Sequence, residues 1–390
     1  MKNRFSFLAG LSRNVIVLGL VSLFQDLSSE MLYPVVPLFL ATVLGAPMTV
    51  IGLIEGFAEC TAAILKAVFG RLSDRFQRRR AFISLGYGLS AMSRPLLLLA
   101  NSWEFVLASR LMDRLGKGVR TGPRDALLAA AAPAEYRGKV FGFHRALDTI
   151  GAVIGPLLAI WLLAATNNDY PFVFLIAVIP TACAFLLTFL VKEVKTEIAA
   201  NQATAYWLLV TDHLPSVYWK FLAINTIFFI GNSSDVFLIL RAREIGLSAP
   251  SAIFAYVVYN LAYVLLATPA GILSDRLGRR RVMQTGFLIF AFVYAGFAII
   301  KSPLLIWPLF ALYGFYAAMT EGVGKAAVVD FVAPEHRSSA IGIFYMLTGV
   351  AALIASTLAG WLWKESGAAT ALGFSAATAT LAALLLWRWR

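Results

Sequence analysis

Several carboxylates interrupt long apolar stretches of this chain, and their spacing is the first sign of chemistry. Asp26 and Glu30 stand four residues apart, so on a helix they share a face with Tyr33 and Pro37. Glu55 and Glu59 repeat that spacing, with Lys66 a turn or two further on the same face. Asp148 lies beside Arg145, Asp235 follows Asn232-Ser-Ser, and Glu321 and Asp330 flank Lys325. A charge at the centre of a bilayer costs about 2.5–3.5 kcal/mol even on the mildest scale, so such residues face a cavity or a partner. Desolvation raises the pKa of a carboxyl toward neutrality, as a proton carrier requires. Asp26 and Glu30, with Asp235, are therefore the proton-coupling candidates, and Pro34 and Pro37 follow a turn or two later. Arg145–Asp148 reads as a static ion pair.

The basic residues make a second pattern. Arg110, Arg114, Lys117, Arg120 and Arg124 are spaced 4, 3, 3 and 4, which on a helix confines them to about 120° of arc, with Asp113 inside it. A guanidinium donates two parallel hydrogen bonds to a carboxylate or phosphate. Arg120, Arg124 and Lys325 are thus candidate contacts for an acidic or zwitterionic solute, with Tyr33, Asn232 and Glu321 as further contacts. Arg124 and Lys325 are expected to face each other across a central cavity. The competing expectation is that Asp26, Glu30, Glu55 and Glu59 neutralise much of the stripe, Arg110 and Arg114 first.

The elements that hold these residues are transmembrane helices. The chain has 390 residues, 60% of them hydrophobic and only 14% charged, with a mean hydropathy of +0.77. A soluble domain carries about a quarter charged residues, so a soluble enzyme is excluded. Twelve spans emerge, approximately 14–43, 50–70, 81–100, 103–131, 139–165, 170–191, 217–243, 250–272, 282–300, 303–332, 338–363 and 366–387. Strands are excluded because open sheet edges find no partner in lipid. Nineteen basic residues fall on the side of the termini and four (Arg241, Arg243, Lys301 and Lys364) on the other. Both termini are therefore expected on the cytoplasmic face of a bacterial-style inner membrane. The net charge of +12 is a topology signal, and nucleic acid is not an expected partner. Met1–Arg13 runs into the first span without a cleavage pattern, so no removed signal peptide is expected. Cys60 and Cys183 imply neither a disulfide framework nor a metal site.

The chain also repeats itself. Gly70-Arg-Leu-Ser-Asp74-Arg75-Phe-Gln-Arg-Arg-Arg80 returns as Gly271-Ile-Leu-Ser-Asp275-Arg276-Leu-Gly-Arg-Arg-Arg281, with eight of eleven positions identical. Glu135-x-Arg137 and Gly142 return as Glu335-x-Arg337 and Gly342, and Ser28-Ser29-Glu30 is echoed by Ser233-Ser234-Asp235. The expected organisation is an all-α membrane protein of two pseudo-symmetric six-helix bundles, 1–192 and 217–390, joined by a linker over 193–216. Parallel repeats place a solute site between halves near mid-membrane.

These motifs resemble the major facilitator superfamily, most strongly in the G-x-L-[SA]-D-R-x-G-R-[RK] loop, with Gln77 in place of the glycine of the first copy. The resemblance implies a secondary transporter working by alternating access, with no ATP chemistry, cofactor or metal. It also implies a cytoplasmic latch at Asp74, Arg75, Asp275 and Arg276. Gly142, Gly151, Gly155 and Pro156 resemble the family's antiporter signature, with Ala159-Ile160 in place of its final glycine pair. Physically, these glycines let a neighbouring helix approach and Pro156 favours a bend. Arg110 occupies the place of the family's fourth-helix arginine, while Arg114 replaces a glycine of that motif. The expected activity is proton-linked export of a small organic solute by a monomer in the lipid bilayer. Proton-linked uptake of an anionic or zwitterionic nutrient is the alternative, and a membrane sensor on a carrier scaffold is the alternative of another class.

Overall fold

A computed structural model of the chain describes residues 11–76, 78–131, 136–194, 214–333 and 336–389. Among them every regular element is helical: α1 (Arg13–Leu32), α2 (Val35–Thr42), α3 (Met48–Phe76), α4 (Arg79–Leu98), α5 (Trp103–Ala130), α6 (Arg137–Ala165), α7 (Tyr170–Thr188), α8 (Ser216–Gly231), α9 (Val236–Ile245), α10 (Ala249–Leu277), α11 (Arg279–Ile299), α12 (Ile306–Phe331), α13 (Arg337–Ser366) and α14 (Ala368–Arg388). Ten stretches are long and apolar enough to cross a membrane, with α1–α2 and α8–α9 each making one. The other two crossings are α4 and α5, which carry Arg94 and the arginine stripe and so fall short on hydropathy. The fold is that of a twelve-span helical membrane protein.

Two crossings are broken: the second break contains the repeated Ser-Ser-acid motif, and the first follows that motif by three residues. The first, at Tyr33-Pro34, follows from chemistry: proline lacks the amide hydrogen that would continue the helix. Both were expected as continuous spans, over 14–43 and 217–243, and the second opens at Asn232–Asp235 without a proline. Short polar side chains here take over backbone bonding. Ser356 Oγ accepts from the Ser234 amide at 3.1 Å, and Ser234 Oγ accepts from the Val236 amide at 3.4 Å.

The described residues form two compact units, the first within Met1–Val35 and Ile64–Ala203, the second within Val36–Ala63 and Thr204–Arg390. In the first, α1 packs on α6 and α7, and α4 on α5 and α7. Gly86 and Gly116 bring α4 and α5 together so closely that a Cβ on Gly116 would collide with the Gly86 carbonyl. In the second, α12 packs on α10 and α11, and α14 on α8 and α11. Residues 36–63 join that second unit because small residues admit them. Gly52 and Gly56 rest on Ser356 and Leu353 of α13, and Gly360 rests on Met48.

Candidate functional site

Buried charge in the first unit centres on a residue that hydropathy alone passes over. Arg94 interrupts α4 and is 4% exposed. Its guanidinium donates to Ser28 Oγ at 3.1 Å, Ser29 Oγ at 3.0 Å and Ser93 Oγ at 3.0 Å. It also lies 3.3 Å from Asp113 Oδ1. One side chain thereby ties the Ser-Ser motif of α1 to the acid of α5. Its signal in the sequence is a lone arginine within the 81–100 span. Arg94, Arg110, Arg114 and Arg120 all act electrostatically on Asp113, and all five are buried.

The stripe of α5 is therefore an internal structure as well as a candidate surface. Arg120 donates to Ser90 Oγ and stacks over Tyr87, 4.6 Å from the ring centroid. Arg110 lies 5.6 Å from the centroid of Tyr33. Arg124, a candidate solute contact, pairs with Asp125 at 3.0 Å and donates to Ser22 Oγ at 3.3 Å. Asp125 was overlooked because it follows Arg124 directly, a spacing that does not bring side chains onto one helix face.

Asp26 and Glu30 face α6. A Cβ built on Gly151 would lie 3.1 Å from the Cβ of Asp26, and one built on Gly155 would lie 3.1 Å from that of Glu30. Gly151 and Gly155 thus hold α1 and α6 in contact, whereas Gly142 looks into open space and plays no part in this packing. Asp148 is one turn from Gly151 on α6. It accepts from Ser22 Oγ at 2.5 Å and lies within hydrogen-bonding reach of Asp26. Arg145 touches it at 3.4 Å but is 66% exposed. The expected static pair Arg145–Asp148 is present, yet Asp148 also belongs to a half-buried group with Asp26, Ser22 and Arg124.

In the second unit the break between α8 and α9 presents Asp235. Tyr313 donates its hydroxyl to Asp235 Oδ1 at 2.6 Å, and Asn232 Nδ2 donates to Tyr316 at 3.0 Å. Tyr259, Tyr313 and Tyr316 are buried and in ring contact at 4.9 and 5.1 Å, forming an aromatic wall behind the acid. Buried Glu55 accepts from Ser234 Oγ at 3.4 Å, so this acid serves the broken crossing of the second unit. Glu321 and Lys325 are exposed on α12, and Lys325 Nζ lies 5.6 Å from the centroid of Tyr345.

The repeated loop is described in its second copy. Asp275 pairs with Arg279, which reaches Asp330 of α12 with Nε at 3.1 Å. Arg276 is exposed. The turn itself rests on Gly278, whose φ of +91° few other residues adopt. The side chains of Asp74 and Arg75 lie outside the described residues.

Broken, charge-bearing helices within a twelve-span chain define a polytopic membrane transporter rather than an enzyme. The family profile described as Major Facilitator Superfamily matches residues 18–240 and 221–390, and the chain belongs to that superfamily. An uncharacterised MFS-type transporter of Methanocaldococcus jannaschii is 36% identical over 384 residues, covering 96% of this chain and 94% of the relative. The cis,cis-muconate transport protein of Acinetobacter baylyi is 26% identical, covering 83% and 80%. The multidrug resistance protein MdtG of Escherichia coli is 23% identical, covering 77% and 76%.

Proposed function

We propose that this transporter exports a small organic solute bearing a carboxylate or phosphate, linked to protons, across the inner (cytoplasmic) membrane. In this reading it is a monomer with both termini cytoplasmic, and the alternating elements are residues 1–192 and 217–390 with a linker at 193–216. The observation that carries the proposal is the half-buried group of Asp26, Asp148, Ser22 and Arg124, where Gly151 and Gly155 hold α1 against α6 and Arg124 reaches in from α5. Two carboxyls in reach of each other resist joint ionisation, so the pair shares a proton. Glu30 on the same helix and Asp235 at the other helix break are the further coupling acids. Arg120 and Arg124 offer the solute its cationic contacts, Tyr33 serves further along beside Arg110, and Asn232, Glu321 and Lys325 serve on the second unit. The resemblance of α6 to an antiporter signature supports export, as does the likeness to a multidrug resistance protein.

A second reading, proton-linked uptake of an organic anion, is favoured by Arg124. Protonating the Asp26–Asp148 pair removes negative charge beside this guanidinium and frees it for a solute anion, the linkage of a symporter. The likeness to a muconate transport protein points the same way. Reconstitution in liposomes under an imposed pH gradient, with a panel of matched anions, zwitterions and cations, separates the two. Solute moving against the proton flow supports export, and solute moving with it supports uptake. Gradient-driven flux of lipophilic cations alone, unaltered in Arg124→Gln and Lys325→Gln, would overturn the anion reading.

A further inference from the structure

The two copies of the arginine loop differ in how their helix starts are satisfied. In the first copy Glu193, just past α7, accepts from the amides of Arg79 and Arg80 at 3.2 and 2.9 Å. This is an anion site at a helix N-terminus, filled by the chain's own carboxylate. At the repeat offset the matching residues are Arg280 and Arg281. There the structure has a cavity of about 920 Å³ lined by Arg279, Arg280, Arg281 and Arg388. Its lining includes the carboxylate of Asp330, already engaged by Arg279. Arg280 reaches the carbonyls at the end of α14, donating to Leu386 at 2.5 Å and to Trp387 at 2.7 Å, so among the described residues its charge is not compensated by a carboxylate there.

We infer that this cavity binds the phosphate of an anionic phospholipid headgroup, doing for the second repeat what Glu193 does for the first. The charge of the lining asks for an anion. The rest of the lining identifies its source. Leu277, Phe331 and Trp387 border the arginines, and Trp387 is 65% exposed. The cavity lies where α11 begins and α14 ends, at the boundary of two 21-residue spans, which is the headgroup level. Basic pockets between transmembrane helices at this level bind anionic headgroups, while a soluble phosphate gains nothing from the apolar border.

The test is thermal unfolding of the delipidated full-length protein in neutral detergent. Phosphatidylglycerol, phosphatidylcholine and soluble glycerol phosphate are added separately. Phosphatidylglycerol should stabilise more than phosphatidylcholine, and glycerol phosphate should give no shift at equal concentration. The phosphatidylglycerol excess should survive Lys301→Gln/Lys364→Gln, which alters the opposite side. In Arg281→Gln/Arg388→Gln the apparent affinity for phosphatidylglycerol should fall roughly tenfold or more, on the usual contribution of each basic residue near an anionic surface. Arg388→Gln alone, at an exposed helix end, provides the measurement if the double variant does not fold. Equal stabilisation by both lipids, or an excess unchanged in the arginine variants, would overturn the inference. A shift with glycerol phosphate matching that of phosphatidylglycerol would overturn the lipid as its source.

Discussion

Replacing Asp113 by Asn should be the most damaging neutralisation in the first unit, and it should be worse than replacing Arg94. The substitution keeps the shape and removes only the charge. Asp113 is 5% exposed and Arg94 4%, at a separation of 3.3 Å. At an effective dielectric of about 20, Coulomb's law gives roughly 5 kcal/mol of attraction for this pair. Breaking a buried pair by removing one partner typically costs about 3–5 kcal/mol. Asp113→Asn also withdraws the acid on which Arg110, Arg114 and Arg120 act, so the full loss of about 3–5 kcal/mol is expected. Arg94→Gln leaves Asp113 with those three guanidiniums and shortens a side chain that bonds three serines, so about 1–3 kcal/mol is expected. The double variant should cost less than the sum of the single ones. Equilibrium unfolding in mixed micelles reads all three. An Asp113→Asn loss within about 1 kcal/mol of wild type, or an Arg94→Gln loss exceeding it, refutes the reasoning.

The coupling group gives a sharper functional contrast. Asp148→Asn and Asp26→Asn should each abolish gradient-driven accumulation in liposomes while permitting exchange, and exposed Arg145→Gln should leave accumulation intact; concentration of solute by Asp148→Asn would remove that residue from the proton site. Along α6, Gly155→Leu forces a Cβ to within 2.7 Å of the Leu27 carbonyl and should destabilise by about 1–3 kcal/mol. Gly142→Leu meets open space and should stay within about 0.5 kcal/mol of wild type, as micelle unfolding will show. For the latch, Asp74→Asn and Asp275→Asn should raise labelling of cysteines introduced from the cytoplasmic side, and unchanged labelling in both would leave the loops a purely topological role.

Hydropathy and charge alone determined the number of crossings, their approximate limits and the arginine-rich side, because lipid forces every backbone group into a helix and penalises charge. The internal repeat exposed the two-fold design, since a loop repeated at eight of eleven positions survives in the sequence whatever it touches. The break at Tyr33-Pro34 falls inside a span read as continuous over 14–43, although its cause, a proline, acts locally. The break at Asn232–Asp235 has no such local cause, since it is completed by Ser356, which lies 122 residues from Ser234. Tertiary structure likewise decided the partners of each charge. Arg94 joins α1 to α5 only because three helices meet there, and Asp148 reaches Ser22 across 126 residues. Helical spacing tells which residues share a face. Which face of another helix they meet depends on glycines such as Gly116, Gly151 and Gly155, whose effect is to let a particular neighbour come close.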